Sequence, residues 1–282
     1  MSNNLLKKHA KSFYWASFFL SKEMLRKCSA LYNFCRTLDD IADEINHLDI
    51  KKENFSKFKK EFINKNFNNL IIKEMWATII SENISKNIVI DLFDGVEMDL
   101  KEKVYIKSKK DLLVYSYRVA GTVGLMMSKI LKVKNKEALK GAIDLGIAMQ
   151  LTNIARDVIE DKRNDRKYIE SDFSSIQETV KQSEIFYQKS FNSISGIPLR
   201  SRFSVIVARR VYKKIGDFIL KQKNNENYNK AGKIYVPFFR KIIETFLSIF
   251  DFIKLLFVKE INYDNHVNHK ILEEEINLNE RI

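Results

Sequence analysis

The sequence is poor in residues that break regular structure, with only 2 prolines and 8 glycines in 282 residues. This scarcity argues against a fold of many short strands and turns, and it favours long helices. Cysteine is also scarce, and Cys28 and Cys35 alone cannot build a disulfide framework or a cysteine-rich zinc site. We interpret both as small buried apolar residues in a reducing compartment.

Long hydrophobic runs are missing as well. No stretch of about 20 apolar residues marks a membrane-spanning helix, and the N-terminal MSNNLLKKHAKSF lacks the apolar core of a secretory signal. We therefore expect a cytoplasmic protein. Segment 237–260, PFFRKIIETFLSIFDFIKLLFVKE, is amphipathic, and its charges make it costly to bury in a bilayer. It is either a terminal helix packed on the domain or a helix resting on a membrane surface.

Negative charge is in deficit, since 49 Lys and Arg residues against 36 Asp and Glu residues give a formal net charge of +13. Such an excess predicts attraction to nucleic acid, anionic lipid or phosphorylated substrates. The lysines are scattered in pairs such as Lys7-Lys8 and Lys109-Lys110 rather than gathered in one arm. A nucleic-acid partner is therefore not expected.

Helical periodicity is abundant. Apolar residues recur at three- and four-residue steps in segments 5–19, 22–46, 51–64, 69–82, 85–103, 109–131, 136–164, 175–193, 199–222 and 237–260. This pattern predicts a single all-α domain over residues 1–261. Residues 262–282 are expected to form a polar, flexible tail.

Two of the predicted helices carry the same acidic pattern. Asp39 and Asp43 are four residues apart, and Asp157 and Asp161 repeat that spacing; the groups beside them are Arg36, Asn153, Arg156 and Arg166. A single pair is usually a solvated helix face, but two pairs facing each other across a cavity would repel strongly without cations between them. Mg²⁺ shares carboxylates with substrate phosphates, and arginines add fork-shaped donors. The two stripes therefore predict a metal–diphosphate clamp.

At these residues the sequence resembles the squalene and phytoene synthase family, which joins two isoprenoid diphosphates head to head. YNFCRTLDDIAD resembles the first aspartate motif of that family, and QLTNIARDVIED resembles the second. Four further segments are similar and follow in the family's order: KSFYWAS (11–17), DGVEMDL (94–100), YSYRVAGTVGLM (115–126) and RRVYKKI (209–215). DKRNDRKYIESDF lacks the Gly and Pro of many members, and little matches after residue 230.

The resemblance implies an isoprenoid-synthase-type helical bundle around a central hydrophobic tunnel, with Mg²⁺ or Mn²⁺ as cofactor. The implied metal-binding residues are Asp39, Asp43, Asn153, Asp157 and Asp161, and the implied catalytic residues are the four aspartates with Tyr32 and Tyr168. The implied substrate-binding residues are Ser12, Phe13, Arg36, Gln150, Asn153, Arg156, Asn164 and Tyr212. Ser17, Ser29, Gly121, Val123, Gly124 and Leu125 are expected along the tunnel.

The activity implied by the resemblance is conversion of two geranylgeranyl diphosphates to phytoene through a cyclopropyl diphosphate, a step of carotenoid biosynthesis that needs no NADPH. Small residues at Ser17 and Ser29 favour twenty-carbon over fifteen-carbon chains. A squalene or dehydrosqualene synthase that acts on farnesyl diphosphate remains the alternative.

Two further alternatives are weaker. A terpene cyclase or chain-elongating prenyltransferase does not usually carry NIARDVIED after QL, and a helical assembly or binding protein of this descent would be expected to have lost acidic residues that are intact here. The insoluble product and the positive charge predict a peripheral location on the cytoplasmic membrane. A downstream desaturase is a candidate partner.

Overall fold

The computed structural model describes residues 11–44, 47–261 and 267–282, and the side chains of these residues except those of 11–13 and 267–268. Helices α1 to α7 span Lys11–Ser17, Lys22–Asp43, Leu48–Ile63, Leu70–Glu82, Lys86–Glu97, Lys109–Ser116 and Thr122–Ile130. Helices α8 to α14 span Lys136–Arg163, Phe173–Lys189, Leu199–Leu220, Asn225–Ala231, Phe238–Leu256, Val267–Glu273 and Leu278–Arg281. The all-α prediction is confirmed.

Three short elements connect these helices. A π-helical turn at Tyr117–Gly121 joins α6 to α7, and a 3₁₀ turn at Asn192–Gly196 follows α9. Strands β1 (Val104–Tyr105) and β2 (Arg166–Lys167) pair in parallel, which helical periodicity did not predict. The π-helical turn divides the single helix expected over 109–131.

Helix α8 is the central element, and α7, α9 and α10 pack around it. The Asn135 side chain begins the helix by accepting a hydrogen bond from the Ala138 amide at 2.9 Å. Beyond its end, Asp165 takes a left-handed backbone conformation with φ 55°. Most residues from Ala138 to Val158 that face its neighbours are small or branched and buried, so the helix is enclosed over most of its length.

The crossing of α7 and α8 depends on glycine. A Cβ atom on Gly124 would lie 2.2 Å from the carbonyl oxygen of Ala142, and one on Gly146 would lie 2.2 Å from that of Ala120. No side chain fits at such distances, so the two backbones touch directly. This close approach fixes the wall of the cavity described below.

An aromatic cluster fixes α2 against α3, α4 and α5. The Phe34 ring lies 5.3 Å from that of Phe62 and 5.7 Å from that of Phe93, and Phe62 stacks on Trp76 at 5.1 Å. Aromatic pairs at these separations contribute beyond their buried area. The cluster holds α2, which carries Asp39, in a fixed position beside α5.

The β1–β2 pairing joins the chain after α5 to the chain after α8. The Val104 amide donates to the Asp165 carbonyl at 3.0 Å, and the Ile106 amide donates to the Lys167 carbonyl at 3.0 Å. Two backbone hydrogen bonds thus bring together segments that are distant in sequence. They place Asp99 near Arg166 and Tyr168, as the site geometry shows.

The C-terminal segment differs from its prediction as a polar, flexible tail. Within residues 267–282, Leu272 and Leu278 are buried, and Arg281 donates to both oxygens of Asp91 at 2.9 and 3.0 Å. The buried His269 ring lies 2.8 Å from Asp144 on α8. The segment packs because its few apolar residues recur at helical spacing and because Arg281 and His269 contact buried acids of the domain.

Helix α12 has an inverted amphipathic pattern. Its inner face places Glu244 and Asp251 against Arg210 of α10, at 3.0 and 2.7 Å, while most of its aromatic and aliphatic residues point outward. The prediction that this segment is an amphipathic helix holds, but the buried side is the polar one. Among the described residues, no helix is long and apolar enough to cross a bilayer.

Candidate active site

An elongated cavity of about 330 Å³ runs between α2, α7, α8 and α10. Helix α2 lines it with Leu25, Cys28, Leu31, Tyr32, Cys35 and Asp39, and α8 lines it with Ala138, Gly141, Ala142, Leu145, Gly146, Met149, Gln150 and Asn153. On both helices the lining residues nearer the N-terminus are mainly apolar, and those nearer the C-terminus are polar. From Leu25 to Asp39 the wall extends over about 21 Å of helix, so the cavity is a carbon-lined channel with one polar end.

Asp39 marks that polar end. Its side chain is exposed to solvent where it lines the cavity, yet the dense surrounding protein partly desolvates the carboxyl group and raises its pKa to about 7. The negative charges of Asp43, Asp99 and Asp40 raise the pKa further, while Arg36 lowers it. Among the described residues, Asp39 is therefore a carboxyl group without an adequate counter-charge.

Asp161, on α8, also has a carboxyl group with a raised pKa. Burial raises its pKa to about 7, the charges of Asp157 and Asp99 add to that shift, and Arg166 opposes it. Asp161 lines a second, more polar pocket of about 500 Å³ beside α8, together with Arg166 and Tyr168. The two predicted acidic stripes thus meet around one region of negative potential.

Asp99 connects the two stripes, and the sequence did not predict it as a site residue. Its oxygens accept hydrogen bonds from the Tyr168 and Tyr115 hydroxyls at 2.7 and 2.8 Å, and burial raises its pKa. Its charge raises the pKa of both Asp39 and Asp161. Asp99 lies in the quoted DGVEMDL segment, but the residues four positions before and after it are Gly95 and Lys103, so the four-residue aspartate spacing of the two stripes is absent there.

Fixed cations balance the remaining acids. Arg156 donates to both oxygens of Asp157 at 2.9 and 2.6 Å, and Arg166 donates to Asp43 at 2.7 Å. Both arginines were singled out from the sequence. Arg36 pairs at 2.5 Å with Asp40 rather than with Asp39 or Asp43. Its Nε atom is buried without a hydrogen-bond partner among the described residues.

The chain after residue 221 contributes two groups that sequence reasoning missed. Lys233 lies 2.5 Å from Glu160 and 3.5 Å from Asp157, and the buried Tyr228 donates to the carbonyl oxygens of Ala155 and Arg156, each at 2.9 Å. Neither lies in a motif. The sequence alone does not identify these two residues, because they contact α8 only after the chain folds back over it.

Most of the remaining predicted residues fall into three groups. Tyr32, Gln150, Asn153, Tyr212, Ser17, Val123 and Gly124 line the apolar cavity. Tyr168 lies outside it, stacked on Tyr115 with ring centroids 4.8 Å apart. Ser12 and Phe13 belong to α1, but their side chains fall outside the described residues.

Four predictions differ from the structure. Ser29 and Leu125 are fully buried away from the cavity, and Gly121 packs against Tyr117 and Ile143, so none of the three lines the tunnel. Ser29 is one residue past Cys28, which does line the cavity, and one residue turns a helix by about 100°. Asn164 is exposed where α8 ends and lines neither pocket.

The donor set at the polar end suits a hard divalent cation. Its candidate ligands are carboxylate and amide oxygens, and the Asn153 Oδ1 atom is buried without a hydrogen-bond partner in the described part of the chain. Among those residues, no three His, Cys, Asp or Glu side chains are close enough to hold one ion together. Mg²⁺ commonly takes one or two carboxylates and completes its shell with water and substrate phosphates. The residues fit that mode of binding.

Comparison with known proteins agrees with this geometry. Residues 6–173 match the squalene/phytoene synthase family model. The chain is 28% identical to the 15-cis-phytoene synthase of Pantoea ananas over 77% of its own length and 83% of that protein. It is 30% identical to the phytoene synthase of Cereibacter sphaeroides over 74% and 68% of the two chains. A crystal structure of a dehydrosqualene synthase in complex with ligand matches with a TM-score of 0.76, at 26% identity, and covers 88% of this chain and 94% of that one.

The raised pKa values of Asp39 and Asp161 predict how stability depends on pH. Each pKa is higher in the folded protein than in the unfolded chain. The contribution of these two groups to the free energy of unfolding is therefore fully present below their pKa in the unfolded chain, and it is lost as the pH rises through about 7. Without divalent ions, Tm should fall between pH 5.5 and 8.5. Asp39→Asn should recover about 1 kcal/mol, or about 2–4 °C, at pH 8.5. Asp49→Asn, an exposed acid on α3, is the control, and an equal gain there would contradict a local origin.

Proposed function

Because the chain belongs to the squalene/phytoene synthase family, we propose that it condenses two molecules of geranylgeranyl diphosphate head to head to form phytoene. The observation that supports this most is the carbon-lined channel that ends at the acidic cluster around Asp39. An isoprenoid chain suits the apolar part, and its diphosphate, with accompanying cations, suits the polar end. The phytoene synthases among the relatives favour this product over squalene.

The reaction consumes no reductant. In the first half, one diphosphate leaves as new carbon–carbon bonds close a cyclopropane between the two chains and a proton is lost. In the second half, the other diphosphate leaves, the ring opens by rearrangement, and loss of another proton yields the triene of phytoene. The NADPH-independent ending distinguishes this proposal from squalene formation.

The candidate residues divide the work along the channel. Asp39, Asp43, Asn153, Asp157 and Asp161 would hold Mg²⁺, which when bound neutralises the charge of the departing diphosphate. Arg156 and Arg166, held by the acids, would be released to face the diphosphate oxygens when cations occupy those acids.

The channel wall protects the cationic carbon chain. Residues such as Leu31, Val123 and Met149 offer no nucleophile and exclude water. Tyr32 stands at the polar end, and burial raises its pKa to about 12. Its hydroxyl is therefore protonated near neutral pH and serves as a hydrogen-bond donor, while its ring face can stabilise positive charge.

The proposal includes a peripheral position on the cytoplasmic membrane. It is supported by the net charge of +13 and by the insolubility of a forty-carbon hydrocarbon product. The alternative activity on farnesyl diphosphate, with squalene or dehydrosqualene as product, is supported by the dehydrosqualene synthase structure that this chain resembles.

The direct test is incubation of the purified protein with Mg²⁺ and each diphosphate separately, with and without NADPH. We expect phytoene from geranylgeranyl diphosphate in equal yield under both conditions, because proton loss ends the reaction. The hydrocarbon is identified by chromatography and mass spectrometry. Squalene formed only with NADPH, or dehydrosqualene from farnesyl diphosphate alone, would replace the proposed substrate.

Asp157→Asn tests the proposed cation site. The amide keeps the shape of the side chain but removes one anionic ligand, so turnover should fall at least about 100-fold. The Tm increase that Mg²⁺ and inorganic diphosphate give the wild type should also shrink. Glu137→Gln is the matched control, since Glu137 lies on the same helix, pairs with Lys140 at 3.3 Å and lines neither pocket. Normal turnover in Asp157→Asn would remove this residue from the site.

Ser17→Phe tests the choice of chain length. Ser17 lines the channel and donates to the Tyr14 carbonyl at 2.8 Å, so a phenyl ring there would take up channel volume. The ratio of kcat/KM for geranylgeranyl to farnesyl diphosphate should fall about ten-fold or more. Ser17→Ala, which removes the hydroxyl without adding volume, should keep the wild-type ratio. An unchanged ratio in folded Ser17→Phe would show that this position does not limit chain length.

A further inference from the structure

Helix α12 buries its acidic residues and exposes its aromatic ones. Glu244, Ser248 and Asp251 face α10 and are almost fully buried, and Arg210 pairs with both acids. Their spacing of three and four residues places them on one side of the helix. The helix is therefore fixed to the domain by these polar contacts and, near its C-terminal end, by Phe252 and Leu255, which pack on the core. Its other apolar side chains face outward.

We define the apolar face as the outward residues Phe238, Phe239, Phe246, Leu247, Ile249, Phe250, Ile253, Leu256 and Phe257. Phe239 is 70% exposed and Phe257 is 76% exposed, so these rings are not folded back onto the protein. A contiguous apolar surface of this kind on a protein marks an interaction site.

The charges near the apolar face are mainly positive. Within Phe238–Leu256, Lys254 is the one charged residue that is exposed, while Arg240 and Lys241 are half-buried near the start of the helix. Lys259 follows its end, beside Glu260. Aromatic rings flanked by lysine and arginine suit the boundary between the acyl chains and anionic headgroups of a bilayer.

The apolar face continues into the wall of the cavity through α1. Trp15 donates from Nε1 to the Thr245 hydroxyl at 2.8 Å, and its ring lies 5.5 Å from that of Phe238. The next residues, Ala16 and Ser17, line the cavity, and Phe18 is 62% exposed. A single short helix therefore separates the outer apolar surface from the interior channel.

We propose that the apolar face docks on an anionic lipid bilayer, so that a prenyl chain passes between the bilayer and the channel beside α1. A second copy of the protein would also cover the aromatic rings, but it would close off α1, where surface and channel meet. The identity of the lipid cargo rests on the proposed function, whereas the docking itself depends only on the exposed residues and their charge.

The first experiment compares two double variants that each add two negative charges. Phe246→Glu/Phe250→Glu alters the apolar face, and Leu70→Glu/Ile80→Glu alters equally exposed residues on α4. On vesicles of phosphatidylcholine and phosphatidylglycerol, the α12 variant should bind at least about ten-fold more weakly than wild type. The α4 variant should stay within about two-fold, because only long-range charge has changed. Equal losses in both variants would overturn the proposal.

Activity separates docking from catalysis. In detergent solution both double variants should retain wild-type turnover, because neither alters the channel. With substrate embedded in vesicles, only the α12 variant should slow, about ten-fold or more. Loss of turnover by wild type in detergent would argue against the proposed function without bearing on docking, and equal vesicle rates for all three proteins would overturn the lipid route.

Tryptophan fluorescence tests the orientation. The chain has two tryptophans, and Trp76→Phe would leave Trp15 as the only one. Brominated lipids should quench Trp15 by more than half when this variant binds vesicles. Bound but unquenched protein would overturn docking through α1 and α12. If the wild type is a dimer in the absence of lipid, and only the α12 variant is a monomer, the apolar face would be assigned to contact with a second copy instead.

Discussion

Repulsion between carboxylates at one end of a carbon-lined channel is the constraint on which the site depends. Asp39, Asp99 and Asp161 come from three parts of the chain, and the charge of Asp99 raises the pKa of both other carboxyl groups. The surrounding structure counters this repulsion with Arg156, Arg166 and Lys233. These cations do not neutralise all of the acidic side chains. Divalent cations that accompany a diphosphate are suited to supply the missing positive charge.

Helices α2 and α8 each contribute to both ends of the channel. The same helix that supplies apolar wall at Leu31 supplies an acid at Asp39, two turns later, and α8 repeats this from Leu145 to Asn153. The distance between chain-binding and diphosphate-binding ends is therefore set by the rigid pitch of two helices. The direct backbone contacts at Gly124 and Gly146 fix how closely α7 and the π-helical turn before it can approach α8.

Local patterns in the sequence predicted much of this arrangement. Helical periodicity located the main helices, and the repeated four-residue spacing singled out the acids of α2 and α8. Periodicity could not predict Asp99 or Lys233, because each acts through a tertiary contact with no neighbouring pattern. The C-terminal helices were missed for a similar reason: the burial of Leu272 depends on a surface that exists only after folding. The prediction that Ser29 lines the channel was wrong, because a step of one residue from Cys28 turns the side chain to another face of the helix.

The β1–β2 pairing fixes the spacing between Asp99 and Arg166 through main-chain atoms alone. Its hydrogen bonds use the amides of Val104 and Ile106 and the carbonyls of Asp165 and Lys167, so they do not depend on side-chain identity there. On its outer side, Tyr105 is exposed and Lys167 lies over its ring. Divergent chains can therefore change residues 105 and 167 freely while keeping the same geometry, provided that proline does not replace a donor at 104 or 106. Sequence variation in these two strands therefore does not indicate how much the positions of Asp99 and Arg166 can vary.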